Sequence, residues 1–600
     1  MIDKAREILK TSFGYDSFRP GQEEVIRALL DGAGVLAVMP TGAGKSLCFQ
    51  IPALVRGGLA LVVSPLVALM EDQVAALQLA GIVAESINSS KSYETNADIW
   101  RRVAAGQVRF LYIAPERLMT ERMLNALSGL SLGMIAIDEA HCISRWGPSF
   151  RPEYEQLETL RDHFPGVPIA ALTATADAAT QADISAKLFR GQGRAFVAGF
   201  DRPNIRIGVD MRSTWKSQLL DFVKTRPGVS GIVYCLSRKQ TDQAAEYLND
   251  NGVRALPYHA GMDSGRRTFN QDVFMTEPGV VMVATIAFGM GIDKPDVRYV
   301  FHTNLPANME SYYQEIGRAG RDGEAAEAMM LYGLDDIRMR RMFIDQDSSD
   351  DDNKRREHKR LDTLIAYCET PECRRQALLS YFDDHIEPCG NCDICLNPPE
   401  LEDGTAIARL VMDVVKDTGQ RFGAAHLIDL LRGADTERIR KFGHQRLPRY
   451  GEGKYTGKDD WRSIIRQMVA AGLLDLDIQG YGGLSLTAKA TQFLGNDQSF
   501  SYRKLEAKTK RQAASKRNPP AGDLSERDEG LFGALKSHRL ELARERGVPA
   551  YVVFPDRTLV EMAAARPATL EEFAELNGVG RAKLSKFADG FLAVIAHHDG

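Results

Sequence analysis

The feature that most constrains the fold of this chain is a glycine-rich loop, Thr41-Gly42-Ala43-Gly44-Lys45-Ser46. It follows an apolar run, residues 35–39, which predicts a buried parallel strand. A loop between such a strand and a helix directs backbone N–H groups and the positive helix end at one point, where they bind phosphate oxygens. We predict that Lys45 reaches the β- and γ-phosphates and that Ser46 ligates Mg²⁺. Met39 stands where the full phosphate-loop pattern begins with glycine, which we interpret as a subclass difference.

A second element of the same kind is Asp138-Glu139-Ala140-His141, which follows the apolar run 134–137. Parallel α/β sheets bind their ligands at the carboxyl ends of the strands. An aspartate there can hold the Mg²⁺ that bridges the phosphates, and Glu139 beside it can polarise the attacking water. His141 completes the predicted catalytic run. The two elements together predict a site that hydrolyses nucleotide.

Alternation of short apolar strands with amphipathic helices predicts the fold class. The clearest further strands are 59–65, 110–115, 134–140 and 169–175 within residues 1–200, and 231–237, 280–286, 299–305 and 328–332 within residues 201–335. Two consecutive sections of this kind predict an α/β protein with two parallel-sheet lobes.

This chain has 600 residues, and those after residue 335 are too many to pack into the hydrophobic cores of the two lobes. We therefore expect further domains. We place their boundaries after residues 335, 398, 502 and 522 from breaks in pattern. The charged run 347–356 is interpreted as a solvated loop or a helix start. The pattern predicts a hairpin at 473–487 and a basic linker at 503–522, and residues 523–600 have a compact helical pattern.

Composition limits the cellular compartment and the binding partners that we expect for this chain. The chain is 44% apolar and 26% charged with a net charge of −5, so any basic surface for nucleic acid must be local. The N-terminus has no signal-peptide pattern, and no run of 18 apolar residues occurs. These features predict a cytoplasmic protein with no membrane partner.

Five of the eight cysteines lie between residues 368 and 395. Clustering in a reducing compartment favours a metal over disulfides. Cys373 with Cys389-Gly390-Asn391-Cys392-Asp393-Ile394-Cys395 supplies four thiolates, which suit tetrahedral Zn²⁺, although an iron–sulfur cluster uses similar spacings. Cys48, Cys142 and Cys235 are isolated and are predicted to be buried apolar residues.

Two arginines in the second lobe, Arg318 and Arg321, lie within the run 314–323. Their spacing of three predicts that they lie on one helical face. From a second lobe they could reach the γ-phosphate and stabilise developing charge, as arginine fingers do. Lobe movement would then accompany each cycle of hydrolysis, which is the basis of a motor.

Taken in order, these motifs resemble those of superfamily 2 helicases, together with Thr173-Ala174-Thr175 and the run 285–293. The run 13–22 and the aromatic-rich run 144–152 narrow the resemblance to the RecQ family of DNA helicases. It covers essentially the whole chain. It implies two RecA-like lobes (1–200 and 201–335), a zinc-binding subdomain (336–398), a winged-helix domain (399–502) and an all-α HRDC domain (523–600).

The resemblance also implies roles for individual residues. Tyr15 would stack on adenine, Gln22 would hydrogen-bond the edge of the base and Arg19 would lie alongside. The four cysteines would bind a structural Zn²⁺, and Cys368 matches no ligand. DNA would be contacted by Trp146, Phe150 and Arg151 in the aromatic-rich run and by Tyr481 at the hairpin tip.

One departure from the family lies inside the aromatic-rich run. Pro148-Ser149 replaces the usual His-Asp, while the DNA-sensing aromatic residues remain. We therefore expect DNA-stimulated ATP hydrolysis with altered coupling.

The function implied is an ATP-dependent 3′–5′ DNA helicase that acts in repair and recombination, with replication and the SOS response, on single-stranded and duplex DNA. Single-stranded-DNA-binding protein is the implied protein partner. Local basic character at 438–444 and Lys454 supports phosphate contacts. An RNA helicase on the same core and a non-catalytic scaffold for DNA junctions are the alternatives.

Overall fold

A computed structural model describes residues 1–144, 151–289, 294–347, 351–476, 483–495, 498–504 and 526–599. The first lobe is a seven-stranded sheet in the order β3-β4-β2-β5-β6-β1-β7, with every pair parallel. Its strands are β1 (Val35–Val38), β2 (Leu59–Val63), β3 (Ala84–Ile87), β4 (Phe110–Ile113), β5 (Leu132–Ile137), β6 (Ile169–Thr173) and β7 (Arg194–Val197).

Helices cover both faces of this sheet. They are α1 (Ile2–Phe13), α2 (Gln22–Leu30), α3 (Lys45–Arg56), α4 (Val67–Leu79), α5 (Tyr93–Ala104), α6 (Pro115–Leu118), α7 (Glu121–Ser128), α8 (Pro152–Glu155), α9 (Leu160–His163) and α10 (Ala178–Phe189). Short 3₁₀ turns span Ala140–Ile143 and Gln156–Thr159. Strands β1 and β2 are buried throughout because both sheet faces are covered, so they read as continuous apolar runs rather than alternating ones.

The second lobe is a six-stranded parallel sheet in the order β10-β11-β9-β12-β13-β8. Its strands are β8 (Ile205–Met211), β9 (Ser230–Tyr234), β10 (Ala255–Tyr258), β11 (Val281–Ala284), β12 (Val297–His302) and β13 (Ala326–Tyr332). Its helices are α11 (Trp215–Lys224), α12 (Arg238–Asp250), α13 (Ser264–Thr276) and α14 (Met309–Ile316). The predicted fold class is confirmed by these two sheets.

After the second lobe the chain is mainly helical, and a small winged-helix unit follows. The elements are α15 (Leu334–Gln346), α16 (Asp351–Glu369), α17 (Arg374–Ser380), α18 (Asp393–Leu396), β14 (Leu401–Asp403), α19 (Thr405–Asp417), α20 (Ala424–Leu431), α21 (Glu437–Phe442), a 3₁₀ turn (His444–Arg446), α22 (Lys458–Ala470), β15 (Leu474–Leu476), β16 (Leu484–Leu486), α23 (Ala488–Gly495) and β17 (Ser501–Arg503). The antiparallel pair β15–β16 confirms the predicted hairpin.

The last unit is all helical, as predicted. It comprises α24 (Glu526–Arg546), α25 (Ala550–Val553), α26 (Asp556–Ala565), α27 (Leu570–Ala574) and α28 (Arg581–Asp599). Its core is aromatic: the rings of Phe554 and Phe591 pack edge to face with centroids 5.2 Å apart.

A buried ionic cluster joins the second lobe, the cysteine-rich region and the winged-helix unit. Glu369 accepts hydrogen bonds from Tyr332, Arg466 and Arg503, the last over 2.6 Å. Burial raises the pKa of Glu369, but the charges of Arg466 and Arg503 outweigh it and leave that pKa below its usual value. One buried carboxylate is therefore bonded to side chains from the second lobe and the winged-helix unit.

Candidate active site

A cavity of about 470 Å³ lies at the carboxyl ends of the first sheet, where the second lobe approaches it. Both lobes contribute to its lining. The predicted catalytic side chains that line it are Lys45, Asp138, Glu139, Arg318 and Arg321. His141 lies behind them and is only 2% exposed. The structure thus brings together residues that are up to 276 positions apart in the chain.

The phosphate loop has the conformation that its glycines permit. Gly42 and Gly44 have φ angles of 84° and 80°, a region that side chains rarely adopt. Helix α3 begins at Lys45, so the N–H groups of its first turn lie beside the cavity. The Nζ of Lys45 donates to the carbonyls of Met39 and Pro40 at 3.1 and 3.3 Å. Met39 is buried in the core of the lobe, where a larger side chain than glycine finds room.

The acidic pair follows β5 directly. The N–H of Glu139 donates to Oδ1 of Asp138 over 3.0 Å, and Glu139 itself has a positive φ of 49°. A non-glycine residue in this region costs about 1 kcal/mol or more and is common at functional sites. Burial and the charge of Glu139 raise the pKa of Asp138 to about 7, while Lys45 acts in the opposite direction. Two carboxylates held together in this way form a site that favours a cation.

A series of polar contacts leads from the acidic pair to the second lobe. His141 Nδ1 lies 3.3 Å from Oε2 of Glu139 and 2.9 Å from the hydroxyl of Thr173. The Thr173 hydroxyl donates to the carbonyl of Thr175, so it accepts from His141. Gln314 of the second lobe donates to the hydroxyl of Thr175 over 2.7 Å. Thr173 and Thr175 therefore lie between the acidic pair of the first lobe and Gln314 of the second.

The prediction that Arg318 and Arg321 share a helical face is wrong. Helix α14 ends at Ile316, and both arginines lie in the turn that follows, in which Gly320 and Gly323 have positive φ angles of 56° and 92°. Both side chains nevertheless line the cavity. Arg318 is 6% exposed, and its Nε is buried without a hydrogen-bond partner in the described ranges. Such a donor suits an anionic ligand.

The predicted adenine segment lies at the mouth of the cavity. Tyr15, Arg19 and Gln22 all line it. The side chain of Gln22 is 1% exposed and donates to the carbonyls of Ala43 and Gly44 at 3.0 and 3.1 Å. Arg19 donates to the carbonyl of Gly42. Both side chains therefore brace the phosphate loop, and their contact with a base stays a prediction.

The last helical unit also lines this cavity, which no sequence pattern indicated. Gly578 donates its N–H to the carbonyl of Gly14 over 2.7 Å, and a Cβ on Gly14 would lie 2.4 Å from the nitrogen of Val579. Lys583 donates to the carbonyl of Val552 over 2.9 Å, and burial lowers its pKa to about 8. The glycine turn that includes Gly578 thus packs on the first lobe.

The predicted cysteine cluster is assembled. The sulfur atoms of Cys373, Cys389, Cys392 and Cys395 all lie within 4.8 Å of one another. Backbone N–H groups of Cys389 and Cys395 donate to the sulfurs of Cys373 and Cys392 at 3.3 and 3.4 Å. These bonds favour thiolates, and four thiolates at this spacing fit one tetrahedral zinc ion. Cys368 is buried outside the group, as expected.

Of the predicted DNA contacts, only Arg151 lies among the described residues. It is half-buried and donates to the carbonyl of Pro65 over 3.2 Å. Trp146, Phe150 and Tyr481, like Pro148-Ser149, lie outside the described residues. In the winged-helix unit, α21 carries Arg440 and Lys441 with exposed side chains.

None of the helices in the described ranges has the length and apolarity needed to cross a membrane.

Five family models match successive parts of the chain. They are the DEAD/DEAH box helicase model at 19–184, the helicase conserved C-terminal domain at 214–323, the RecQ zinc-binding model at 334–396, the RQC domain at 398–511 and the HRDC domain at 528–595.

Full-length relatives match as well. The chain is 43% identical to the ATP-dependent DNA helicase RecQ of Haemophilus influenzae, over 99% of this chain and 96% of that protein. It is 42% identical to the protein of the same name in Pasteurella multocida, over 99% and 94% of the two chains. With the Bacillus subtilis protein of that name it shares 37% identity over 99% of each.

Proposed function

The chain belongs to the RecQ family of ATP-dependent DNA helicases, and we infer that it couples ATP hydrolysis in the cavity between its lobes to the unwinding of duplex DNA. The observation that carries this proposal is the lining of that cavity. A phosphate loop and an acidic pair come from one lobe, and two arginines come from the other. Hydrolysis at such a site can be linked to movement of one lobe against the other.

The first lobe would bind the triphosphate and direct the water. Lys45 and the N–H groups at the start of α3 would bind phosphate oxygens. Asp138 and the Ser46 hydroxyl would hold Mg²⁺, which supplies charge neutralisation at the phosphates when bound. Glu139 would accept a proton from the attacking water, and His141 would lie beside its carboxylate, at 3.3 Å. Thr41, Gly42 and Gly44 would shape the loop.

The second lobe would stabilise charge that develops on the γ-phosphate. Arg318 and Arg321 line the cavity opposite the phosphate loop. Removal of an arginine finger lowers turnover by about 10³-fold or more. We expect Arg318→Ala to lower kcat on this order while ADP still binds.

The base would be held at the mouth of the cavity. Tyr15, 36% exposed, can stack on adenine there. Arg19 and Gln22 would act mainly through the phosphate loop that they brace.

The four cysteines would hold one Zn²⁺ with a structural role, because all four positions of a tetrahedral site are filled by the protein. The domain boundaries at residues 200, 335, 398, 502 and 522 stay predictions, as does a cytoplasmic location.

Single-stranded DNA would contact Trp146, Phe150 and Arg151, and Tyr481 would wedge against a terminal base pair. Trp146→Ala tests the first role, because unchanged DNA stimulation of hydrolysis in that variant would contradict it. Three further points stay predictions. They are altered coupling through Pro148-Ser149, action in repair, recombination, replication and the SOS response, and contact with single-stranded-DNA-binding protein.

Strand separation on forked, 3′-tailed and 5′-tailed duplexes tests the proposal. We expect ATP-dependent unwinding with 3′–5′ polarity, and hydrolysis stimulated more by single-stranded DNA than by RNA. Greater stimulation by RNA would favour the RNA-helicase alternative. A junction scaffold would bind DNA without turnover, although Lys45, Asp138, Glu139, Arg318 and Arg321 are all present.

Lys45→Ala should abolish hydrolysis and unwinding together. Lys239→Ala, which removes an exposed lysine on α12, is the matched control and should behave as the wild type. ATP-dependent unwinding by Lys45→Ala would contradict the mechanism.

A further inference from the structure

The segment that joins the two lobes contains an arginine with an unusual set of partners. Arg202 lies between β7 and β8. Its Nη1 donates to the carbonyl of Thr41 over 2.9 Å, and its Nη2 donates to the carbonyls of Ala319 and Gly320 at 2.9 and 2.8 Å. One guanidinium therefore contacts two loops that are far apart in sequence.

These two loops are the catalytic ones. Thr41 belongs to the phosphate loop, and Ala319 and Gly320 are the residues between Arg318 and Arg321. The Thr41 hydroxyl also donates to the carbonyl of Gly317 over 2.8 Å, and Nη1 of Arg202 lies 3.3 Å from that same oxygen. Arg202 thus fixes the backbone on both sides of Arg318.

The joining segment is itself anchored from other directions. Tyr313 donates from its hydroxyl to the carbonyl of Phe200 over 2.8 Å. Arg375, which is 3% exposed and belongs to the cysteine-rich region, pairs with Asp201 at 3.1 Å. With Phe200 and Asp201 held directly before Arg202, its guanidinium has a defined position from which to bridge the loops.

The chemistry of the contact requires arginine. A guanidinium presents five N–H donors in a rigid planar fork, whereas a lysine ammonium is a single point charge. The partners of the two Nη atoms include backbone carbonyls of irregular loops, which need donors when buried. Arg202 is not among the residues that line the cavity, so it would act on the reaction through the two loops that it holds.

We propose that Arg202 is a positioning residue for the hydrolytic step, which fixes the turn 317–321 against the phosphate loop so that Arg318 and Arg321 face the γ-phosphate. This inference rests on the proposed function. It separates binding from turnover: nucleotide affinity comes mainly from the first lobe, while the geometry of the arginines depends on Arg202.

The test compares the full-length wild type with Arg202→Lys, Arg202→Ala and the control Arg206→Ala. Arg206 lies on β8 with an exposed side chain. DNA-stimulated kcat and the KM for ATP are measured, with affinities for fluorescent ADP and for ADP with aluminium fluoride. ADP binding and zinc content in each preparation show that the variant is folded.

We expect kcat to fall by about 10- to 100-fold in both Arg202 variants, because small misplacement of catalytic groups has effects of this size. The KM for ATP and ADP affinity should stay within about threefold, while affinity for ADP with aluminium fluoride falls with kcat. Arg206→Ala should match the wild type.

Wild-type kcat in both Arg202 variants would overturn the inference. A parallel loss of ADP affinity and kcat would also overturn it, because it would indicate a structural role in the phosphate loop. An absence of hydrolysis by the wild type itself would instead contradict the proposed function.

Discussion

Gln314 of the second lobe donates a hydrogen bond from Nε2 to the hydroxyl of Thr175 in the first lobe, over 2.7 Å. Thr175 is 3% exposed, so this bond is shielded from water. In the first lobe, Thr175 is linked through Thr173 to His141. In the second lobe, Gln314 lies four residues before Arg318 in the chain. Movement between the lobes cannot leave it unchanged.

Thr175→Val should reduce coupling more than nucleotide binding. The change keeps the shape of the side chain but leaves the Gln314 amide without its partner, a loss worth about 1–3 kcal/mol. We expect the number of base pairs separated per ATP to fall about tenfold, while the KM for ATP changes little. Unwinding and hydrolysis measured in one assay give this ratio.

The matched control is Thr159→Val, because the Thr159 hydroxyl donates to the carbonyl of Gln156, three residues earlier in the same lobe. If both variants separate the same number of base pairs per ATP hydrolysed, the bond between the lobes has no part in coupling.

Cys392→Ala should remove the metal and loosen the region around it. Cys392 is fully buried, and its sulfur lies 4.0 Å from that of Cys373. Elemental analysis should give one zinc per wild-type chain and far less in the variant, with faster proteolysis near residues 373–395. Cys368→Ala removes a buried cysteine outside the group and should retain zinc. Iron in place of zinc would favour the iron–sulfur alternative.

Glu369→Ala should destabilise the junction of three units. It would leave Arg466, which is 4% exposed, and Arg503 without their shared carboxylate. Removing one partner of a buried ion pair costs about 3–5 kcal/mol. The measurement is the shift of the urea-unfolding midpoint of the full chain. Glu372→Ala removes an exposed carboxylate nearby and should leave the midpoint unchanged, and a similar midpoint in both would refute the prediction.

Asp556 should make the last helical unit sensitive to acid. Burial raises its pKa, but Arg539 at 2.6 Å and Lys536 at 2.9 Å outweigh this and lower the pKa to about 2. Because the folded pKa lies below the unfolded value near 3.8, this stabilisation is complete above pH 4. It is lost as the pH falls from about 4 to 2, by about 2 kcal/mol.

Amide hydrogen exchange of α24 and α26 in the full chain, measured as a function of pH, would test this. The Asp556→Asn variant should lack the contribution of the carboxylate at every pH. The protection of its amides from exchange should therefore change less between pH 4 and pH 2 than in the wild type. A wild-type profile as flat as that of the variant would contradict the ion-pair account.

Strands in the sheet interiors were predictable because burial on both faces requires continuous apolar residues. β1, β2, β5 and β6 are examples. The strands that patterns did not indicate include β3, with a polar Glu85-Ser86 centre, and β7, whose residues are mostly exposed. Both are edge strands, where only one neighbour is present and the apolar requirement is weaker.

The residue types of the candidate site were predictable for a related reason. A phosphate loop, an acidic pair and a cysteine cluster each occupy a short run, so spacing along the chain carries their chemistry. The helical placement of Arg318 and Arg321 failed because the turn after α14 depends on Gly320, which also contacts Asn204 across the lobe.

The sequence by itself determined which groups can bind phosphate, activate water and hold a metal, since each is encoded within a few residues. Only the tertiary structure decided which of them meet. The bridge from Arg202 to both catalytic loops, the bond from Gln314 to Thr175 and the contact of Gly578 with Gly14 join residues more than 100 positions apart. Such contacts follow from how whole units pack, and packing leaves no periodic pattern in the chain.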